Sequence, residues 1–390
     1  MKRALVLGMA RSGQSAADLL ERRGVEVVRA DRTLGNDGDT GLLDDVDVLV
    51  KSPGVPGGQL LVRVARARGI PVWSEVELAY RLIGPELVGV TGTNGKTTTT
   101  ELLGAILGAK TAGNVGRALT GLDAEPGELV VCELSSFQLE DVDTLRCRVA
   151  VLLNLEPDHL DRHGTFEAYR DAKLRIFENQ GEEDTAVVPR GFPPVPGRGR
   201  RVEFDADDPL PAEPRIRGAH NRENAAAATA AARALGVSDE RIAEALVAFP
   251  GVPHRLEPVG ERGGVRYVND SKATNVAAAR RALAAYADDP VHLILGGSRK
   301  GEDYAPLVAA IGQNVRGVYL IGETADELAA ALGDRTAVRA GDLATAVRLA
   351  SEAAVPGDVV LLSPACASYD QYDDFEQRGE DFRRLVANLV

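Results

Sequence analysis

The chain has 390 residues, 44% of them hydrophobic and 26% charged, with few aromatics (4%) and a formal net charge of -13. Such a composition belongs to a globular protein with two or three cores and excludes disordered and fibrous classes. The acidic balance gives no overall basic field for gripping nucleic acid, and no run of about 18 apolar residues offers a membrane span. Cys132, Cys147 and Cys366 are odd in number and widely spaced, with no C-x-x-C pair. That spacing suggests neither a disulfide framework nor a zinc site, and a reducing cytoplasm fits it best. The basic start "MKR" precedes an apolar run that Arg11 breaks too early for an export signal.

Taken in order, the first segment alternates apolar runs ("ALVLG", "VEVVRA", "VDVLVKSPG", "IPVWSEVE") with amphipathic stretches such as "SAADLLERRG". This pattern predicts βαβ units in a parallel sheet. Its first turn, "GMARSG", is close to G-x-G-x-x-G but has Ala10 at the middle glycine, the position that lets backbone approach a pyrophosphate. A plain strand-to-helix turn and a site for another nucleotide's phosphates are both open there, and a nicotinamide dinucleotide fits less well.

A second segment opens with "PELVGVTGTNGKT". It continues through the strand candidates "ELVVCEL" and "RVAVLLNLEPDHLDR" and an Ala-rich helix in "HNRENAAAATAAARALG". Between them, "PRGFPPVPGRGRR" is a Pro, Gly and Arg cluster that reads as a loop or a short β excursion. After "FPGVPHRLEPVG" a third segment repeats the α/β pattern with "VRYVND", "VHLILGG", "GVYLIGE" and "DVVLLSPA", and ends in the amphipathic "DFRRLVANLV". The predicted fold class is α/β in three domains: residues 1–84 Rossmann-like, 85–250 a P-loop ATPase-like, mostly parallel sheet, and 251–390 Rossmann-like.

Ligands in open α/β sheets bind at the carboxyl ends of the strands, so the side chains there carry the functional reading. Lys96, Thr97 and Thr98 follow "LVGV", Glu133 follows "LVVC", and Glu156, Asp158 and His159 follow "VAVLLNL". A glycine-rich loop opening a helix points N–H groups at phosphate oxygens, a lysine neutralises them, and an adjacent hydroxyl suits magnesium. Glu133 could hold the same cation. Taken alone, Glu133 is equally good as a helix cap, and His159 reads as a surface or N-cap residue. Cys366 reads as a small buried side chain rather than a nucleophile. "NDSKATN" reads as a strand-to-helix loop that also gathers an acid, a lysine and hydroxyls. "SYDQYDDFEQRG" is either a solvated acidic face or part of a site.

Together "GTNGKTT", "GNVG", "CELSSFQLE", "NLEPDHLDRH", "YRDAKLRIFE", "HNRENAAAA", "PHRLE", "NDSKATN" and "SPACASYDQYDDFEQRG" resemble, in that order, the Mur ligase family of ATP-dependent amide-forming enzymes. The resemblance spans essentially the whole chain. It implies a cytoplasmic, monomeric enzyme of peptidoglycan precursor synthesis. Within the family the motifs fit best the addition of D-glutamate to UDP-N-acetylmuramoyl-L-alanine, through an acyl phosphate formed from ATP.

By that resemblance, Gly92, Thr93, Asn94, Gly95, Lys96, Thr97 and Thr98 form the ATP phosphate loop. Thr97 and Glu133 hold a first magnesium and His159 a second. Lys173 matches the family lysine that carbon dioxide converts to a carbamate at that second metal. Asn221 and Asn224 would face the adenine, and Arg255 and Asp270 would close on the nucleotide. Ser12, Asp31, Arg32, Ser52 and Asn114 would take the UDP substrate. Lys272, Thr274, Lys300, Ser368 and Phe375 would take D-glutamate. Arg299 stands where many relatives have an acid, and Arg32 where some have a hydroxyl. The competing expectations are another ligase of the family or a folylpolyglutamate synthase-like enzyme, a P-loop switch protein, and a dehydrogenase using "GMARSG".

Overall fold

The computed structural model describes residues 1–114, 116–299 and 301–389. The chain divides into two compact units, Met1–Pro214 with His220–Phe249, and Arg215–Ala219 with Pro250–Val390. Three α/β sheets make up these units, the fold class that the sequence predicts.

The first unit begins with β1 (Arg3–Leu7), α1 (Arg11–Arg22), β2 (Glu26–Ala30), β3 (Val48–Lys51), α2 (Leu60–Ala67), β4 (Val72–Ser74) and α3 (Glu75–Ile83). Its four strands are parallel in the order β2-β1-β3-β4. The strand expected from "IPVWSEVE" is cut to three residues because the Ser74 hydroxyl accepts from the Glu77 N–H, capping α3 and turning "EVE" into helix. At the first turn Gly8 has φ +89°, and a Cβ on Gly13 would meet the Gly8 carbonyl oxygen at 1.8 Å. Both glycines are therefore required for the close approach of α1 to β1.

The same unit continues with β5 (Glu86–Thr91), α4 (Lys96–Leu107), β6 (Lys110–Gly113), β7 (Leu129–Glu133), α5 (Ser136–Leu139), β8 (Cys147–Leu152), α6 (Leu160–His163) and α7 (Phe166–Leu174). It ends with β9 (Thr185–Pro189), β10 (Arg200–Phe204), α8 (Ala219–Ala234) and α9 (Asp239–Ala248). This sheet is parallel throughout in the order β10-β9-β8-β5-β7-β6, which puts the strand before the glycine loop between β7 and β8. The "PRGFPPVPGRGRR" cluster is a loop that feeds the edge strand β10.

The second unit holds β11 (Glu257–Arg262), β12 (Val265–Asn269), α10 (Val276–Ala285), β13 (Val291–Gly296), α11 (Ala305–Ala310), β14 (Val315–Ile321), α12 (Ala325–Leu332), β15 (Ala337–Gly341), α13 (Leu343–Ala353), β16 (Val359–Leu362) and α14 (Phe375–Ala387). The order is β11-β12-β16-β13-β14-β15, parallel except for the antiparallel edge pair β11–β12. Every residue of β13 and β16 is buried, as expected for strands with helices on both faces. Among the described residues no helix is long and apolar enough to cross a membrane.

Candidate functional site

In the first unit the glycine loop joins β5 to α4, with Gly92 at φ +152° and Gly95 at φ +83°. A Cβ on Gly95 would stand 2.1 Å from Asn224 Oδ1, so Asn224 on α8 packs directly on the loop, and its amide reaches Asn221 Oδ1 at 3.3 Å. The loop is braced from the β8 side: Asn94 N–H donates to Asn154 Oδ1 (2.8 Å), Thr93 N–H to Asn154 O (3.0 Å), and Asn94 Nδ2 to Glu156 Oε2 (3.0 Å). Lys96, the first residue of α4, donates to the carbonyls of Gly92 (2.9 Å) and Thr93 (3.0 Å). Thr97 and Thr98 are buried in the first turn of α4.

Lys173 on α7 is buried and donates to the same Gly92 oxygen at 2.8 Å. Two lysines converging on one carbonyl are a costly arrangement. Burial, and then the charge of Lys96, push the Lys173 amine down to about 7, against the pull of Asp158 and Glu133. Glu133, at the end of β7, is 2% exposed, and its Oε1 accepts from Asn114 Nδ2 at 3.0 Å. The turn that brings Asn114 there needs Gly113, φ +119°, where a Cβ would meet the Glu133 carbonyl oxygen at 2.1 Å. A nearly buried anion of this kind suits a bound cation.

His159 sits in the left-handed region at φ +51° as the residue before α6, half exposed, with its ring 4.9 Å from that of Phe137. Its Nε2 lies 3.5 Å from Asp158. Among the described residues no group of three or more His, Cys, Asp or Glu is placed to hold a metal.

The four remaining substrate-side candidates of this unit gather at the carboxyl ends of β1, β2 and β3. Ser52 Oγ donates to Gly8 O (2.6 Å), and Asp31 accepts from the Met9 N–H (2.5 Å) and from the Thr33 N–H (2.7 Å). Ser12 lies in the first turn of α1, and Arg32 is exposed just after Asp31.

In the second unit the described candidates, apart from Arg255, lie beyond the ends of β12 and β16. Lys272 Nζ stands 3.7 Å from the Phe375 ring centroid, a cation–π contact that joins "NDSKATN" to the start of α14. Asp270 accepts from Ser363 Oγ (2.8 Å) and the Leu256 N–H (3.2 Å), and burial raises its carboxyl to about 7. Arg255 precedes Leu256 in the turn before β11, Thr274 lies in the loop before α10, and Ser368 is buried in the loop after β16. Lys300 lies outside the described residues. Arg299 pairs with Glu327 on α12 at 2.7 Å.

Some residues that hold these loops together had no role assigned in the sequence reading. Arg378, 1% exposed on α14, donates to Ser271 Oγ (3.0 Å), Ser271 O (2.8 Å), Cys366 O (3.1 Å) and Ala367 O (3.2 Å). It ties "NDSKATN" to "SPACAS", so "FEQRG" is not merely a solvated face. Buried His254, at φ +62°, contacts the Asn269 amide at 3.0 Å, and a Cβ on Gly379 would meet its Nδ1 at 2.1 Å. Asn154 and Tyr169, which brace the loop through Asn94 and Thr93, open the motifs "NLEPDHLDRH" and "YRDAKLRIFE" but had no role of their own in the sequence reading. Cys366 is buried, and burial raises its thiol.

Residues 90–193 match the Mur ligase middle domain, and residues 254–366 match the model described as Mur ligase, glutamate ligase domain. UDP-N-acetylmuramoylalanine--D-glutamate ligase of Anaeromyxobacter dehalogenans is 43% identical, with 98% of this chain and 97% of the relative covered. The proteins of that name from Salinibacter ruber and Geobacillus kaustophilus are 42% and 41% identical, each covering 100% of this chain and 98% of the relative. Among solved structures, UDP-N-acetylmuramate-alanine ligase MurC from Thermotoga maritima superposes with a TM-score of 0.64 at 18% identity, covering 99% of both chains. MurF from the same organism, in complex with ADP, gives 0.62 at 18% identity over 99% of this chain and 95% of that one. E. coli FolC in complex with ADP gives 0.56 at 22% identity over 78% and 90%. These neighbours share the fold, and the full-length relatives go further: the chain belongs to the Mur ligase family.

Proposed function

We propose that this chain is an ATP-dependent ligase that joins D-glutamate to UDP-N-acetylmuramoyl-L-alanine in cytoplasmic peptidoglycan precursor synthesis. The observation that carries the reading is the bracing of Gly92–Thr98 at the head of α4, with Lys96, Lys173 and Glu133 around it. It stands in a chain whose relatives of that name match over nearly their full length. We take residues 1–84 as the UDP-substrate domain, 85–250 as the ATP domain and 251–390 as the amino-acid domain.

In this reading the L-alanyl carboxylate oxygen attacks the γ-phosphorus of ATP, ADP leaves, and the resulting acyl phosphate is an electrophile that the bare carboxylate is not. The D-glutamate amine then attacks the acyl carbon, phosphate departs with the bonding pair, and the amine loses a proton. Both steps gather negative charge on oxygen, which Lys96 and the N–H groups of the loop stabilise. Thr97 and Glu133 would hold one magnesium, and His159 with the Lys173 carbamate a second. When bound, these ions would screen phosphate charge. A buried amine held down near 7 is neutral often enough to attack carbon dioxide, forming an N–C bond and releasing a proton. The carbamate so formed would exchange the clash with Lys96 for an attraction.

Asn221, Asn224, Arg255 and Asp270 are assigned to the nucleotide, and Ser12, Asp31, Arg32, Ser52 and Asn114 to the UDP substrate. Lys272, Thr274, Lys300, Ser368 and Phe375 are assigned to D-glutamate, whose two carboxylates suit cationic and hydroxyl donors. The chain is taken to act as a monomer. Mass spectrometry of the UDP-sugar product after incubation with ATP, magnesium and D-glutamate tests the reading. A product longer by one glutamyl residue is expected, and an unaltered UDP-sugar sinks it.

A further inference from the structure

Lys51, at the end of β3, is fully buried inside the first unit and has two acids for partners. Its Nζ lies 2.9 Å from Asp141 Oδ2, an ion-pair contact outside hydrogen-bond geometry, and 3.3 Å from Glu140 Oε2. Asp141 is also held by Arg66 on α2 at 2.6 Å. From Glu140 the chain of contacts runs onward: its Oε1 is 3.3 Å from His163 Nδ1, and His163 Nε2 is 3.0 Å from Ser136 Oγ.

The His163 ring stacks on Phe137, with centroids 5.2 Å apart and planes within 10°. Phe137 in turn carries Arg162 on its ring at 4.1 Å and touches His159. Arg162 closes the circuit by donating to Val55 O at 2.5 Å, the same carbonyl that Lys51 reaches at 3.3 Å. The loop Ser52–Val55 and the loop that carries His159 are thus tied at two points, through Lys51–Glu140–His163 and through Arg162. A buried lysine whose acidic partners lie in the turn after α5, about 90 residues on, is costly to desolvate, and that cost is tolerated where a unique relative placement is needed.

We infer that His163, backed by Glu140 and Lys51, is a positioning residue that fixes the His159 loop against the Ser52–Val55 loop. The substrate side and the metal side of the site are then held in one register. The inference rests on the functional reading above, in which Ser52 faces the UDP substrate and His159 a magnesium ion.

The test uses the full chain with His163→Phe, which keeps the stack on Phe137 and loses both polar contacts, and His163→Gln, which can restore them. Two quantities are read: the dissociation constant for UDP-N-acetylmuramoyl-L-alanine by calorimetry without ATP or metal, and the magnesium concentration giving half-maximal D-glutamate-dependent phosphate release. Outer partners of this kind are worth about 10- to 100-fold in metal affinity or activity. The phenylalanine chain is expected to need about tenfold more magnesium and to bind the UDP-sugar more weakly, with the glutamine chain recovering most of both. A phenylalanine chain that matches wild type in both, or a glutamine chain no better than it, overturns the proposal. Should the phenylalanine chain not fold, Lys51→Met is read the same way, and wild-type values in that chain overturn it too. Wild-type protein without D-glutamate-dependent release sinks the functional reading and this proposal with it, an outcome separate from active wild type with unaffected variants.

Discussion

Replacing Arg378 separates the value of its charge from the value of its geometry. The guanidinium is buried, with four donated bonds to Ser271 and to the Cys366 and Ala367 carbonyls, and burial lowers it to about 10, still protonated at neutral pH. Arg378→Met removes the charge and strands the Ser271 and Cys366 carbonyls, whereas the Ala367 carbonyl keeps the Ser298 N–H and the Ser271 hydroxyl keeps the Phe375 carbonyl. At about 1–2 kcal/mol for each orphaned buried acceptor, the loss is about 2–4 kcal/mol, offset in part because a charge no longer needs burying. Arg378→Lys keeps the charge but has no planar fork, so its ammonium reaches one or two of the four acceptors. It is expected to cost about 3–5 kcal/mol, no less than methionine, because the buried charge is left poorly partnered. Urea unfolding followed by circular dichroism measures the cost, and hydrogen exchange over residues 269–275 and 364–368 localises it. Both variants should also raise the KM for D-glutamate. A lysine chain as stable as wild type would refute the reasoning, since charge alone would then be enough.

Other substitutions probe the first unit. Lys96→Ala is expected to lower kcat by at least about 100-fold, as for a lost donor to developing oxyanion charge, with unfolding unchanged; phosphate release checks the first point and a urea titration the second. Gly95→Ala sets a side chain at φ +83° and 2.1 Å from Asn224 Oδ1, so about 1–2 kcal/mol is lost to the backbone alone. Adding Asn224→Ala should return the steric part of the stability but not the rest.

Glu75 is buried, with Oε1 accepting from the Thr120 N–H and hydroxyl and Oε2 without a partner, and burial raises its carboxyl. The protonated form is favoured in the fold, so its stabilising contribution is present below the ordinary value near 4.5 and is lost as pH rises through the raised one. Glu75→Gln should therefore gain on wild type from pH 4.5 upward in urea titrations, and parallel curves would contradict this. With ¹³C-bicarbonate, wild type should show a carbamate resonance that Lys173→Arg lacks, and equal spectra would leave Lys173 an ordinary amine.

Much of the fold could be read because buried parallel strands are written as apolar runs: "LVGV", "VAVLL", "VHLIL" and "DVVLL" all became strands. The strands that sequence reasoning did not name are mostly edges. β6 "KTAG", β11 "EPVGER" and β15 "AVRAG" each border solvent on one side, need no continuous apolar face, and so carry charge or glycine instead. Interior β9 was missed for a different reason, an apolar run of only three residues, Ala186 to Val188, beside an acidic turn. The phosphate loop could be read because its glycines answer a local backbone demand. Arg378, His163 and Lys51 could not, since each draws its meaning from partners distant in sequence: Ser271 is 107 residues from Arg378, and Glu140 is 89 from Lys51.

The central claim concerns which amine the activated carboxylate meets. The direct measurement is phosphate release from ATP with magnesium and UDP-N-acetylmuramoyl-L-alanine, offered D-glutamate, L-glutamate, L-alanine, a diamino acid or D-alanyl-D-alanine in turn. Release that depends on D-glutamate alone is the predicted result. Release driven by any of the others, or by none, would contradict the account.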